Sequence, residues 1–502
     1  MGERADPNPG ARVPAESHGY WRSFEEWAGR NTETDAADPL ATGSVHASDP
    51  GFDRRDFLRL LGASIALAGV GGCLEPPREP ILPYTVRPPE VTPGLASFYA
   101  TTMTLDGFGT GLLVESREGR PTKIEGNPDH PASLGAAGIF EQASVLQLYD
   151  PDRVKGIRYR GRPATWQDFA RAFGPRPAGT ADRGEGLRIL LEPTASPLTA
   201  ELVSRVRDAF PTVGAYFHSP LRTPSAVEGA RLAFGRALQP VYVPVAAAVI
   251  LALDADFLAS GPFHLRYARE FADRRREPAA GMNRLYVAEG ALSVTGGAAD
   301  HRLRVRPGEI EAVLEAVFAD VVASGEEFGA VIPEPVKGLL ARQEGNGNLA
   351  AWIRAAARDL MAHPGAGLVI VGDRQPPRVH ALAHLLNAVL GNVGRTLGFI
   401  ESPLIDAGGP GNALETLADE IRAGAVTRLL ILGVNPAYTA SADLDFASLI
   451  QNLDETAYLG LHDDETARCC AWVIPRLHYL ESWGDARALD GTASLVQPLI
   501  AP

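Results

Sequence analysis

Sulfur is the scarcest chemical resource in this sequence, whose three thiols are Cys73, Cys469 and Cys470. A four-iron cluster takes four thiolates, so the chain cannot assemble one from its own residues. The same count excludes a disulfide framework. The adjacent Cys469 and Cys470 would form a strained bridge and read as a structural pair rather than a redox pair. His380 and His384 lie four apart on a predicted helix, a spacing that can hold a metal. No Glu follows His380 as in a metalloprotease motif and no third ligand is evident, so the pair reads as a helix face. His462-Asp463-Asp464-Glu465 offers acid–base groups but reads as a solvated loop after a strand. Asp254 and Asp256 close a buried run, the place where a doubly wound sheet binds ligands, and equally a place for a helix cap. Gly408-Gly409-Pro410-Gly411 precedes a helix and has the composition of a phosphate-holding loop.

The elements that must position these residues alternate. Leu187–Leu191, Val213–Phe217, Val249–Leu253 and Leu285–Ala288 are strand-like runs, and Leu368–Gly372 and Leu429–Val434 follow in the second half. Between them, Ser196-Pro197 supplies an N-cap and a first-turn proline. Ser225–Phe234 and Val379–Leu390 have helical spacing. Leu414, Leu417 and Ile421 mark another helix, closed by Gly424. Thr102–Ile124 reads as a β unit punctuated by Gly107, Gly109 and Gly119. Such alternation implies parallel strands with crossover helices. The fold class is therefore α/β, with a small N-terminal β region (94–185) and two doubly wound parallel-sheet domains (186–345 and 346–502). The apolar ending, residues 495–502, suggests truncation or a partner chain that continues the fold. The formal net charge is −14, which excludes nucleic acid as a partner class.

Ahead of the β unit lies a targeting signal. Asp53–Cys73 reads DRRDFLRLLGASIALAGVGGC. Arg54 and Arg55 stand before Phe57 and Leu58, and an apolar run from Leu60 to Gly72 follows. That run is shorter than the roughly 20 residues that span a bilayer and fits the core of a secretory signal. The paired arginines resemble the twin-arginine export motif, which a receptor reads. Val70–Cys73 resembles a lipoprotein cleavage box, which makes Cys73 a candidate for lipidation. Residues 1–52 are acidic and read as disordered, with an aromatic island at Gly19–Trp27. Residues 74–93 are Pro- and Glu-rich and read as an extended linker.

Two longer segments carry a family resemblance. Val114–Pro131 (VESREGRPTKIEGNPDHP) and Leu148–Arg153 (LYDPDR) resemble the opening of molybdopterin oxidoreductases. Leu285–Glu289 with Thr295-Gly296, Ala299–Leu303, Glu481–Arg487 and Val496–Ile500 add to the match over roughly residues 52–502. Within that superfamily the sequence is most similar to the large iron–sulfur subunit of alternative complex III, a quinol:electron-acceptor oxidoreductase. Catalytic members place cysteines just before and just after the first segment. Here Ala100–Phe108 and Leu134–Gly138 contain none, so no iron–sulfur cluster is expected in this chain. Molybdopterin is not expected either, because the middle domain offers no Cys ligand for molybdenum.

The resemblance implies a cofactor-free scaffold with no catalytic, cofactor-binding or metal-binding residues of its own. Electrons would pass through iron–sulfur clusters on a missing C-terminal domain or a partner chain. The implied partners are a membrane quinol-binding subunit, a multiheme cytochrome c subunit, that iron–sulfur domain and, during export, the Tat translocase. The implied location is the periplasmic face of the cytoplasmic membrane. Two other readings are an active molybdenum or tungsten oxidoreductase with an oxygen ligand and an exported α/β solute-binding lipoprotein.

Overall fold

Runs such as Val249–Leu253 have no polar face, and a strand of that kind is stable only inside a sheet covered on both sides. The computed structural model describes residues 92, 94–174, 184–220, 224–276, 281–324, 348–405 and 413–502. Arg54, Arg55, Phe57, Leu58, Cys73 and the Gly408–Gly411 loop therefore lie outside the described residues. So do the 1–52 and 74–91 segments.

An antiparallel sheet comes first, built from β1 (Ser97–Leu105), β2 (Phe108–Arg117) and β3 (Arg120–Gly126). Helix α1 (Ile139–Leu148) packs on β3. A short hairpin, β4 (Arg158–Tyr159) and β5 (Arg162–Pro163), leads to α2 (Trp166–Phe173). Thr165 and Asp168 close the start of α2 with a capping box.

The alternating part follows. It runs β6 (Leu187–Leu191), α3 (Pro197–Ala209), β7 (Gly214–Phe217), α4 (Ser225–Phe234), β8 (Leu238–Tyr242) and β9 (Val249–Leu253). Next come α5 (His264–Arg276), β10 (Arg284–Glu289), α6 (Val294–Gly297), β11 (His301–Arg304), α7 (Ile310–Ser324) and α8 (Asn348–Ala362). The chain continues through β12 (Gly367–Val371), α9 (Pro377–Val389), β13 (Leu397–Glu401), α10 (Ala413–Arg422) and β14 (Arg428–Leu432). It ends with α11 (Pro436–Thr439), α12 (Phe446–Gln451), β15 (Glu455–Gly460), α13 (Glu465–Cys469), β16 (Trp472–Pro475) and the hairpin β17 (Gly484–Arg487) and β18 (Ala493–Val496).

Two parallel sheets organise these elements, as the alternation requires. The first has the order β11-β10-β9-β12 and is parallel throughout. The second has the order β5-β4-β16-β15-β14-β6-β7, parallel from β16 to β7, with β4 antiparallel at one edge. Strands do not sort on either side of the 345/346 division read from the sequence. β12 pairs with β9, and β6 pairs with β14 across more than two hundred residues (Leu187 opposite Arg428). Periodicity identifies a strand but carries no information about its partner. By contact, Arg87–Pro502 forms one unit.

Each face of the first sheet has its own core. Leu251, Leu253 and Val371 pack under α7, α8 and α9. Ile250, Ala252 and Ile370 face Phe263, Tyr267 and Phe271 of the α5 region, together with Phe108 of β2. On the second sheet Leu190, Leu429 and Ile431 meet Leu414, Leu417 and Ile421 of α10. Ile189 and Leu191 meet Val203 of α3 on the other face. No helix among the described residues is long and apolar enough to cross a membrane.

Candidate functional site at the carboxyl ends of the two sheets

In an open parallel sheet, ligands bind beyond the carboxyl ends of strands, where the chain order reverses. The first sheet reverses between β9 and β12, because β10 and β11 lie on one side of β9 and β12 on the other. The second reverses between β6 and β14, with β7 on one side and β15 and β16 on the other. These two crevices are the places to look for a site.

At the β9/β12 crevice the two strand ends approach closely. A Cβ on Gly372 would lie 1.8 Å from the Asp254 carbonyl oxygen, so only glycine allows the two strand ends to approach this closely. Asp254 adopts φ 50°, and its Oδ2 accepts from Gln375 Nε2 at 3.1 Å. Gln375 Nε2 also donates to the Pro307 carbonyl at 3.2 Å. Asp256 accepts from the Thr295 amide at 2.8 Å and its hydroxyl at 2.7 Å. Beside it Glu289, 3% exposed, accepts from Arg302 Nε at 2.5 Å and from Ser293 Oγ at 2.6 Å. Behind these contacts stands His380, beside the backbone of Gly372 and Gln375, with its Nε2 buried and without a hydrogen-bond partner among the described residues. Burial, with His384 beside it, pushes His380 down to about 3. Burial likewise pushes His384 down to about 4, and its Nε2 donates to the Ala226 carbonyl at 3.1 Å. The two rings sit 6.4 Å apart, stacked into the α4–α9 contact near Phe234 and Phe399. Both rings thus lie on the packed face of α9.

The β6/β14 crevice stays open. Glu192, just past β6, is half exposed and lies 3.8 Å from Arg476, just past β16. Desolvation in the recess raises the Glu192 carboxyl, Arg476 opposes the shift and Asp106 adds to it. A Cβ on Gly433, just past β14, would meet Arg476 Nη1 at 2.5 Å, so the guanidinium lies over that glycine. The loop after β6 is pinned by distant chain: Ala195 donates to the Gly107 carbonyl at 2.8 Å and Ile405 to the Thr194 carbonyl at 2.8 Å. Sequence reasoning singled out Asp254 and passed over Glu192 and Arg476. The same signal, a charged residue directly after an apolar strand, marks all three.

The segments that carry the family resemblance are used as interlocks. His130 Nδ1 accepts from the Gly111 and Ala132 amides at 3.3 and 3.2 Å, and its Nε2 bonds Ser494 of β18 at 3.0 Å. Arg153 forms a two-pronged pair with Glu481, Nη1 to Oε1 at 2.9 Å and Nη2 with Oε2. Asp485 accepts from Ser196 Oγ and from the Leu198 amide at 3.0 Å, fixing the N-terminus of α3. The early β unit, the second sheet and the β17–β18 hairpin are thereby tied together by residues from opposite ends of the sequence.

The remaining predicted groups also have structural partners. Cys469 accepts from Gln451 at 3.5 Å, while Cys470 is buried and its thiol pushed up to about 12 by that burial. His462 donates to Asp150 at 3.1 Å, Asp463 accepts from Arg158 at 2.7 Å, Asp464 caps α13 and Glu465 accepts from Asn435 at 2.8 Å. No group of three or more His, Cys, Asp or Glu that could hold a metal occurs among the described residues.

Comparison with known proteins bears on this arrangement. No protein-family model matches the sequence. A relative from Nitratidesulfovibrio vulgaris (strain Hildenborough), named menaquinone reductase, molybdopterin-binding-like subunit, is 25% identical over 490 residues. The match covers 90% of this chain and 69% of the relative. Acetylene hydratase from Pelobacter acetylenicus superposes with a TM-score of 0.58 at 11% identity, over 80% of this chain and 66% of that one. The fold is that of the molybdopterin oxidoreductases. In that fold an iron–sulfur cluster and a pterin dinucleotide are the implied groups, and the residues present decide whether they fit. Ala100–Phe108 and Leu134–Gly138 offer no thiol, so a cluster ligated by thiolates does not fit the β unit of this molybdopterin-oxidoreductase-like chain. At the β9/β12 crevice Asp254 is engaged by Gln375, with the exposed Arg374 3.9 Å away. At the β6/β14 crevice Glu192 and Arg476 face one another, with the Asp106 carboxylate near enough to raise Glu192.

Proposed function

We propose that this chain is a scaffold subunit of a membrane-bound respiratory quinol:electron-acceptor oxidoreductase of the alternative complex III kind, without a redox cofactor of its own. The observation that carries the reading is the thiol-free β unit, in which motif residues of the fold are spent on holding the chain together. The name of the N. vulgaris relative supports a quinone-linked respiratory setting. In this reading electrons pass through iron–sulfur clusters on another domain or chain. The present chain orients that domain against a quinol-binding membrane subunit and a multiheme cytochrome c. Export by the twin-arginine route, through Arg54 and Arg55, delivers it to the outer face of the cytoplasmic membrane, with Cys73 a candidate lipid anchor.

The test is metal and pterin analysis of the chain isolated from the purified complex. Iron, molybdenum, tungsten and pterin are expected well below one equivalent each. Stoichiometric amounts of any of them on the isolated chain overturn the scaffold reading. Stoichiometric pterin with molybdenum or tungsten favours instead an active enzyme, a reading supported by the words molybdopterin-binding-like in the relative's name and by the solvent-facing Glu192–Arg476 crevice. For export, Arg54→Lys with Arg55→Lys is expected to leave the chain in the cytoplasm by cell fractionation, and unchanged localisation rejects that route.

A further inference from the structure

The hairpin that edges the second sheet is basic in an acidic chain. From Arg158 to Phe173 there are four arginines and one carboxylate, Asp168, whereas the formal net charge of the whole chain is −14. Arg160 and Gly161 turn the hairpin with φ 48° and 76°, the two left-handed residues that a tight hairpin turn of this hand requires. The register sets Tyr159 opposite Arg162 and Arg158 opposite Pro163. Arg160 and Arg162 are both exposed. Among the described residues neither has a carboxylate partner, and the Arg160 guanidinium lies 5.4 Å from the centroid of the Tyr159 ring. The other arginines of the segment are committed, Arg158 to Asp463 at 2.7 Å and Arg171 to Asp168 at 3.5 Å. In the groove behind the hairpin, Asp152 and Lys155 add one exposed charge of each sign.

Exposed aromatic rings stand beside these cations. Tyr159 is 39% exposed and Trp166, the first residue of α2, 60%. Both rings rest on an aromatic stack. Tyr159 packs on Trp472 of β16 with centroids 4.6 Å apart, Phe169 meets Trp472 at 5.5 Å, and Trp166 meets Phe169 at 5.3 Å. No residue of α2 is buried. The sheet edge therefore ends in a projecting turn that presents Trp, Tyr and uncommitted Arg together.

We propose that the β4–β5 hairpin and the start of α2 form a contact for an anionic phospholipid leaflet. Arg160 and Arg162 meet the phosphates, and Tyr159 and Trp166 sit at the level of the headgroups. The inference rests on the reading of the chain as part of a membrane-bound complex, and adds which edge of it faces the bilayer. Tyrosine and tryptophan favour the headgroup layer because each joins an apolar ring to a hydrogen-bonding tip. Each arginine near an anionic leaflet strengthens binding about fivefold. The chain as a whole is acidic and is repelled by such a leaflet, so a local excess of cations fixes the orientation. An added peptide strand is a poorer occupant, since β5 is two residues long and Pro163 has no N–H to give it.

Hydrogen exchange of the full chain on lipid vesicles tests this, because it reads residues 158–173 separately from any anchoring by residues 54–73. On phosphatidylglycerol vesicles the amides of 158–173 are expected to exchange about fivefold more slowly or better, and on phosphatidylcholine vesicles at the rate of the free chain. Arg160→Asn with Arg162→Gln changes two exposed side chains and suits the left-handed turn. That variant is expected to keep the circular dichroism and melting temperature of the wild type and to lose the slowing. Arg160→Lys with Arg162→Lys is expected to retain it. Unchanged exchange at 158–173 on phosphatidylglycerol overturns the lipid contact and leaves the subunit reading standing. So does equal slowing on phosphatidylcholine or in the Asn–Gln variant. Slowing of the same amides in the detergent-purified complex, freed of phospholipid, assigns the face to another polypeptide and overturns the choice of occupant. A chain that never co-purifies with another polypeptide, yet is slowed on phosphatidylglycerol, overturns the subunit reading and upholds the contact.

Discussion

The two sheets share a topology and end differently. At the β9/β12 reversal the strand ends approach closely, with Gly372 against the Asp254 backbone, Gln375 across the gap and two neutral histidines behind it. At the β6/β14 reversal a glutamate and an arginine face each other in contact with water. Both ends carry an acid–arginine pair, Asp254 with the exposed Arg374 at 3.9 Å and Glu192 with Arg476 at 3.8 Å. They differ in the acid, which is largely buried and hydrogen-bonded to Gln375 at the first and half exposed at the second.

The comparison breaks most visibly in acid. The folded chain holds His380 and His384 near 3 and 4, below the ordinary 6.5, so unfolding takes up protons below about pH 6.5. Stability is therefore full above that pH and is lost as pH falls toward the folded values. Between pH 7 and 4.5 the loss should be roughly 2–3 kcal/mol per ring, read as a falling denaturant midpoint. His384→Gln should flatten that fall, whereas parallel curves for variant and wild type would show that the ring does not titrate.

Next in size is Arg302→Ala. It strips the charged partner from a carboxylate that is 3% exposed and should cost about 3 kcal/mol in chemical denaturation. A loss below about 1 kcal/mol would mean that Glu289 is not paid for by Arg302.

Glycine substitutions sharpen the contrast directly. Gly372→Ala forces a Cβ onto backbone and should cost about 2–3 kcal/mol. Gly433→Ala, at φ 79°, meets only the movable end of Arg476 and should cost about 1 kcal/mol. Equal losses in thermal melts would erase the distinction between the two ends. Smallest of all is Glu192→Gln. Its carboxyl is raised by the recess and half exposed, so neutralising it should change stability by no more than about 0.5 kcal/mol in either direction.

Much of the framework was legible. Ser225–Phe234 and Val249–Leu253 fall where their patterns put them, and Ser196 caps α3 by accepting from the Thr199 amide. Gly424 takes the left-handed turn expected of it, with φ 72°. Strong local signals of this kind need no tertiary context. The division at 345/346 was not legible, because β6 and β14 satisfy each other's hydrogen bonds from opposite ends of the sequence. Nor was the outward apolar face of α1, where Ile139, Phe140 and Leu146 are exposed, since a helical pattern fixes which residues share a face and leaves open which face turns inward.

What the sequence determined by itself is therefore composition-bound. Three thiols, two of them adjacent, fall short of the four thiolates that a four-iron cluster usually takes, and alternating apolar runs call for buried parallel strands. What the tertiary structure decided is where each polar group finds its partner: Arg153 with Glu481, His130 with Ser494, Asp254 with Gln375. Those pairs are separated by between 121 and 364 residues. A hydrogen bond is specified by position in space to a few tenths of an ångström, and no local pattern carries that information.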